Sequence, residues 1–280
     1  MNRILLFATI LFAVLINTGD ALAGGKPIEG MEQYRQSYLL FYSYNNQNHF
    51  DAVYGPTLGS QYLQNEVKFQ ISFQGYIYEG DNFDVGLAYT QQSYWQLFNK
   101  PLSAPFRENN FEPEVFVQWK GRDNLLGRSV LDESKTLYRI GIDHQSNGRS
   151  DPFSRSWNRM YGEVKLAADD DRWIGALRAW LRVPEKKSAD NNRDITRFYG
   201  FWQFDGRYSI GDADKHKLHV MLRDNLRIND NKGAMQLDWS WKILGNFSTY
   251  AQVFYGYGEN MIEYNRLNAR FGIGILLTNW

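Results

Sequence analysis

Three side chains of the types that hydrolyse esters fall within one short stretch. They are His144, Ser146 and Asn158, in the run His144-Gln-Ser146-Asn-Gly148-Arg149-Ser-Asp151-Pro-Phe-Ser154-Arg-Ser-Trp-Asn158. A serine hydroxyl becomes a nucleophile when a base takes its proton, and an imidazole does this best when a third group fixes its tautomer. Asn158 can accept from the second ring nitrogen but, being neutral, stabilises the imidazolium less than a carboxylate would. The backbone amide of Gly148, two residues past Ser146, is placed to serve an oxyanion hole. Asp151, Ser154 and the Arg149 carbonyl are hard oxygen donors of the kind Ca²⁺ takes.

An isolated His-x-Ser means little; parity gives this one weight. Successive strand residues point to opposite faces. Tyr138, Ile140 and Ile142 form an apolar set, with Arg139, Gly141 and Asp143 opposite. His144 and Ser146 continue the apolar parity, and Asn158 shares parity with Met160, Val164 and Leu166. A hairpin centred on Asp151 would pair His144 with Asn158, bringing their Cβ atoms within about 4.5–5.5 Å. Ser146 would follow about 6.6 Å along the same face. The alternative is an ordinary polar loop with a chance row of side chains.

The same alternation runs along the whole chain. Val67, Phe69, Ile71 and Phe73 oppose Lys68, Gln70, Ser72 and Gln74, and Met235, Leu237, Trp239 and Trp241 oppose Gln236, Asp238, Ser240 and Lys242. About twelve such stretches start near Tyr34, Asn65, Asp84, Glu112, Thr136, Ser156, Trp173, Thr196, His216, Gly233, Ser248 and Ala269; most run about 10 residues, the length a tilted transmembrane strand needs. Turn-like pieces such as Asp169–Arg172, Gly211–Asp214 and Asn229–Asn231 alternate with longer polar loops near 45–64, 97–111, 121–135, 184–195 and 259–268. The pattern predicts an all-β, 12-stranded antiparallel transmembrane β-barrel. A secreted β-sandwich would share the period, but would seldom set so many Lys, Arg, Gln and Asp opposite such large aromatics. The closing Phe271, Ile273, Ile275 and Leu277, ending in Trp280, favour the barrel.

Composition agrees. Aromatic residues make up 16% of the chain while mean hydropathy is −0.52, so the apolar surface is hidden in alternation rather than in helices. Residues 1–23 have the layout of a secretory signal peptide: a basic start, an apolar run from Ile4 to Ile16, and Ala21-Leu-Ala23 before a mature start near Gly24. Residues 24–280 then form one barrel domain. The chain has no cysteine, which excludes disulfides and thiol chemistry. With 31 basic and 31 acidic residues, nothing points to nucleic acid.

The run from His144 to Asn158 resembles the signature of the outer-membrane phospholipase A family of Gram-negative bacteria. Gln91-Gln-Ser-Tyr-Trp-Gln96, Ser103-Ala-Pro-Phe-Arg-Glu108 and Tyr255-Gly-Tyr-Gly-Glu259 support the resemblance, which spans the mature chain. It implies cleavage of phospholipids at either acyl ester, and of lysophospholipids, with Ser146, His144 and Asn158 as the catalytic three and Gly148 at the oxyanion hole. It also implies calcium held by Arg149 and Ser154 with the Ser103 carbonyl of a second subunit, Asp151 in the calcium-binding loop, and an active homodimer. Departures are few: Gln145 replaces an acidic residue, Tyr94 replaces a tryptophan, and Asp190–Asp194 aligns only loosely with an acidic family loop, where a second calcium site is in doubt.

One dimer residue follows from parity as well. Val85, Leu87 and Tyr89 set an apolar row that Gln91 interrupts, and a lone amide facing lipid is costly without a partner. It matches a glutamine of the family's dimer interface. The rival function is a pore without enzyme activity. A pore would carry its functional groups in an open lumen, whereas inward Tyr76, Tyr161, Trp180 and Phe201 predict a filled one. His49, His216 and His219 show no ligand spacing, and the Gly-x-Gly pairs lie on strands, so neither metal chemistry at histidine nor a nucleotide loop is expected.

Overall fold

The structure is a computed structural model describing residues 31–120, 136–168, 172–186, 188, 190–211, 215–244 and 247–277. The signal segment, the 121–135 loop and Trp280 lie outside the described residues. Strands β1 (Met31–Gln33), β2 (Tyr38–Asn45), β3 (Asn65–Glu79), β4 (Asp84–Trp95), β5 (Phe106–Lys120), β6 (Thr136–Ser146) and β7 (Ser156–Ala167) make the first half. β8 (Trp173–Val183), β9 (Trp202–Ile210), β10 (His216–Asp224), β11 (Gly233–Leu244), β12 (Phe247–Gly256) and β13 (Asn268–Leu276) complete it.

Every neighbouring pair is antiparallel. β2 through β13 form a closed wall of twelve strands, the circle being completed by β13 against β2 and β3 against β4. Closure leaves no edge, which is the condition for β structure in hydrocarbon, where no water can satisfy an unpaired amide. Among the described residues no helix is long and apolar enough to cross a membrane.

The wall is inverted relative to a soluble protein. Ile140 is 53% exposed and Leu181 73%, while Lys68, Glu66 and Arg107 are fully buried. Outward aromatics such as Trp173, Tyr208, Trp239, Trp241 and Tyr255 are exposed, as expected of interfacial girdles. Inside, charges neutralise one another. Arg107 donates to Glu66 at 2.7 Å and lies 3.1 Å from Glu263; Arg270 bridges Glu66 at 2.9 Å and Glu259 at 2.8 Å. A second cluster joins Arg159 to Asp143 and Glu112 at 2.7 and 2.8 Å, and Arg178 to Glu163 and Glu114 at 2.8 and 3.1 Å.

Several sequence expectations shift. The first strand, expected near Tyr34, is split into β1 and β2, which lie on the same edge of β3. Between them Arg35 turns into the lumen to meet Glu112 and Glu114, each at 2.9 Å. The strand expected at Glu112 already begins at Phe106. That expected at Thr196 begins at Trp202, because Ile195–Tyr199 forms a short helix. Its Ile195, Phe198 and Tyr199 bury against Trp157, Tyr161, Trp180 and Met261, so tertiary packing overrides the local strand pattern. Residues 259–268, read as an outer polar loop, instead fold inward, with Asn260, Met261 and Glu263 fully buried. Tyr161 and Trp180 are buried as expected, whereas Phe201 precedes β9 and is 37% exposed.

These ion pairs generate a stability prediction. Glu66→Gln removes the one charge that serves both Arg107 and Arg270; Glu263 and Glu259 remain, but the buried cluster is left with one uncompensated positive charge, and breaking a buried pair typically costs about 3–5 kcal/mol. Urea unfolding in detergent should show a clearly lowered midpoint; an unchanged midpoint would mean that the network does not hold the barrel.

Candidate active site

The β6–β7 hairpin positions the candidate residues. Its register is unbroken from Thr136↔Leu166 to Ser146↔Ser156 and pairs His144 with Asn158, as parity predicts. His144 Nδ1 and Asn158 Oδ1 are 2.9 Å apart. Ser146 shares their face two residues further on, and its hydroxyl makes no hydrogen bond to a described side chain. Ile140, Ile142 and Met160 on the same face are exposed, so the row lies on the outer wall. The inner face of the hairpin alternates with it. Arg159 donates to Asp143 at 2.7 Å, and the buried Trp157 indole donates to Gln145 Oε1 at 2.8 Å. Each outward polar residue is therefore flanked by inward cross-strand pairs that fix the backbone beneath it.

Sequence reasoning missed two parts of this arrangement. Gln145, noted only as a departure, is the acceptor for Trp157. Pro113 was also passed over. The β5–β6 ladder runs from Lys120↔Leu137 to Glu114↔Asp143 and resumes at Phe111↔Ser146. The gap falls where Pro113 would face His144, and proline has no N–H to donate. A proline inside an otherwise regular strand was the available signal.

Residues 147–155 connect the two strands, held by Asn147. Its Nδ2 donates to the Phe153 carbonyl at 2.9 Å, and its Oδ1 accepts from the Arg155 amide at 2.9 Å. Gly148 has φ +62°, a left-handed conformation that favours glycine, and a Cβ there would sit 3.0 Å from the Phe111 ring. Its amide makes no hydrogen bond to the described residues. The Arg149 side chain turns away to the Arg107 carbonyl and to Glu108, 3.3 Å from its Nε, so the oxygen this residue has to offer a cation is its backbone carbonyl. The Ser154 hydroxyl accepts from Asn191 at 2.9 Å, and Asp151 is exposed.

Asp151, Ser154 and the Arg149 carbonyl are oxygen donors on one loop, a set that suits a hard cation such as Ca²⁺ but falls short of the about six to eight oxygens it takes. Ser103 is not joined to them within the chain. It is exposed in the β4–β5 connection at φ 59°, and its amide donates to the Lys100 carbonyl at 2.9 Å. Among the described residues no group of three or more His, Cys, Asp or Glu side chains is placed to hold a metal. In the Asp190–Asp194 stretch, Asp190 accepts from Arg182 at 2.7 Å and Asp194 accepts from the Tyr264 hydroxyl at 2.5 Å, so both carboxylates are engaged.

Gln91 lies on the same wall. It pairs with Phe111, and Phe111 with Ser146, which puts Gln91 two strands from Ser146, about 10 Å at the usual strand spacing. Its amide is not orphaned in one chain: Tyr89 donates to Gln91 Oε1 at 3.0 Å, and Gln91 Nε2 donates to Ser93 Oγ at 3.0 Å. The lumen retains a cavity of about 510 Å³ lined by groups such as Arg35, Glu112, Arg139 and Arg178, but not by His144, Ser146 or Asn158. The candidate chemistry is outside the barrel, not in that cavity.

Comparison with known proteins gives the family and agrees with the fold. A family model described as Phospholipase A1 matches residues 24–277. Phospholipase A1 of Klebsiella pneumoniae is 34% identical, over 88% of this chain and 82% of that protein, and that of Escherichia coli K12 is 34% identical over 88% and 81%. Among solved structures, outer membrane phospholipase A from Escherichia coli superposes with a TM-score of 0.78 at 32% identity, covering 89% of this chain and 94% of that one. The Salmonella typhi outer membrane phospholipase dimer with bound calcium gives a TM-score of 0.79 at 30% identity, over 90% and 94%. Another Escherichia coli structure is of an active-site mutant in which an asparagine is replaced by alanine; it gives a TM-score of 0.79 at 32% identity, over 91% and 93%. The chain belongs to the phospholipase A1 family, and is a phospholipase built as a twelve-stranded barrel of the outer membrane.

Proposed function

We propose that this barrel hydrolyses phospholipid and lysophospholipid acyl esters from its lipid-facing wall, with Ser146 as nucleophile, His144 as base and Asn158 as the group that orients the base. The observation that carries this reading is the 2.9 Å contact between His144 Nδ1 and Asn158 Oδ1 on the outer face, in a row with Ser146. An amide oxygen only accepts, so the proton lies on Nδ1 and Nε2 is left as the base. His144 takes the Ser146 proton as the oxygen attacks the ester carbonyl. The tetrahedral centre collapses, the proton passes to the departing lyso-lipid or glycerol oxygen, and an acyl-serine remains. Water, deprotonated by the same imidazole, then releases the fatty acid. The unengaged Gly148 amide is offered to the oxyanion. Ser146 and His144 need not be hydrogen-bonded before substrate arrives, since such contacts often tighten only in the complex.

Calcium fits the same site. Asp151, Ser154 and the Arg149 carbonyl would hold it, with the Ser103 carbonyl of a second copy of the chain raising the ligand count. Bound there, the ion would stabilise the negative oxyanion, offsetting the weaker support that a neutral asparagine gives the imidazolium. The calcium in the Salmonella typhi dimer supports this reading. Gln91, on the Ser146 row, would lie in the dimer contact, exchanging its bonds to Tyr89 and Ser93 for partners across the interface.

Fatty-acid release from phospholipid in detergent micelles tests the triad. Ser146→Ala and His144→Ala should each lower kcat by at least about 10⁴-fold, whereas Asn158→Ala should lose about 10²-fold. Undiminished hydrolysis by Ser146→Ala would sink the assignment. Sharing of calcium is tested separately by sedimentation of the barrel with a non-cleavable substrate analogue. If two copies share the ion, calcium should raise the dimer constant by about tenfold or more over chelator, because linkage makes the two effects reciprocal. A dimer constant indifferent to calcium, alongside activity that requires it, would confine the ion to one subunit.

A further inference from the structure

Asn158 has a second partner, and that partner is charged. Its Nδ2 donates to Glu185 Oε1 at 3.0 Å. Glu185 stands just past the end of β8, where Val183 pairs with Asn158 across the β7–β8 ladder. A carboxylate only accepts hydrogen bonds. The end of the Asn158 amide facing Glu185 must therefore be the NH₂, and the end facing His144 must be the oxygen. That oxygen in turn requires the proton on His144 Nδ1, 2.9 Å away. One carboxylate thus fixes two ambiguities in series: which way an amide points, and which nitrogen of an imidazole is bare.

We propose that Glu185 is a positioning residue for the hydrolysis, holding Asn158 in the orientation that sets the His144 tautomer and supplying at one remove the negative charge that asparagine lacks. This rests on the assignment of His144, Ser146 and Asn158 made above. Other charged groups on these strands face elsewhere. Asp143 and Arg159 pair with each other at 2.7 Å on the inner face, and Arg182 pairs with Asp190 at 2.7 Å. The hairpin loop adds Asp151, which is exposed, and Arg155, whose guanidinium donates to the carbonyls of Pro152 and Ser154 at 3.0 and 2.6 Å. Among the described residues, no other charged side chain hydrogen-bonds to the His144–Asn158 pair. The Glu185 charge, being partly exposed, acts through a shielded path, so its effect is moderate rather than all-or-none.

The test uses the full barrel in calcium-containing micelles, with folding verified by circular dichroism, and follows phospholipid hydrolysis against substrate concentration. Glu185→Gln should lower kcat by about tenfold with little change in KM, because its own amide can present either end to Asn158. Glu185→Asp, which keeps the carboxylate acceptor, should retain most of the wild-type kcat. In an Asn158→Ala background, Glu185→Gln should cost nothing further. If Glu185→Gln retains wild-type kcat while Ser146→Ala is inactive, the inference is wrong and the triad stands. A loss of equal size with and without the Asn158 side chain would mark a merely structural role and overturn it. Full activity of Ser146→Ala would overturn both readings.

Discussion

Hydrocarbon offers no water to a polar group, and that constraint organises this molecule. It forces the sheet to close, so that none of the twelve wall strands is left as an open edge. It turns the apolar parity of each strand outward, which is why Ile140 and Leu181 are exposed while Lys68 and Arg107 are buried. It also makes each polar residue on the outer wall conspicuous. Two sets of such residues are linked to polar neighbours along the wall. Tyr89, Gln91 and Ser93 form one chain of hydrogen bonds, and His144, Asn158 and Glu185 form another.

The lumen stiffens that wall from behind. Side chains alternate through the β6–β7 hairpin, so the outward His144–Asn158 pair is flanked by inward Asp143–Arg159 and Gln145–Trp157 pairs. Arg159 also reaches Glu112 at 2.8 Å on β5, tying the hairpin to the next strand. Trp157 packs with Tyr199 in the cluster that caps the barrel end. Mutually neutralised charges and a packed aromatic cap make a fixed platform, and geometric fixity is what a catalytic row needs. Ion pairs and buried aromatics occupy much of the lumen, leaving the cavity of about 510 Å³ between them.

Much of this was legible in the sequence because a period of two leaves a strong mark on residues with opposite tasks. Parity alone placed His144, Ser146, Asn158 and Gln91 on one face, and symmetry about Asp151 gave the correct register. What failed to show was non-local. Thr196 read as strand because its helix is stabilised by Trp157 and Met261, far away in sequence. Residues 259–268 read as an outer loop because nothing local reveals that Glu263 meets Arg107. Glu185 was silent for the same reason: an acid in a polar loop looks like solvent-facing charge until β8 carries it beside Asn158. The isolation of Gln91 was overread, since Tyr89 and Ser93, each two positions away on the same face, satisfy its amide.

The shape of the wall bears on how such a row could work. Small-molecule sites are usually concave and bury most of their ligand, but a nucleophile on the outside of a barrel sits on a convex surface. A single wall can touch a lipid along one side only. A second barrel laid alongside would convert that surface into a groove, and the strand geometry indicates where. Gln91, Phe111 and Ser146 lie in one line across β4, β5 and β6, so a contact centred near Gln91 would bring the partner wall within about 10 Å of the proposed nucleophile. Ser103 stands in the loop at the end of β4 that leads to β5, on the same side of the barrel as the 147–155 loop, where a partner's loop would approach. On the proposed assignment, the single chain would hold the reacting side chains but only part of the binding surface. A lipase assembled this way would be controlled by encounter between barrels rather than by rearrangement within one, which would suit an enzyme whose substrate is the membrane around it.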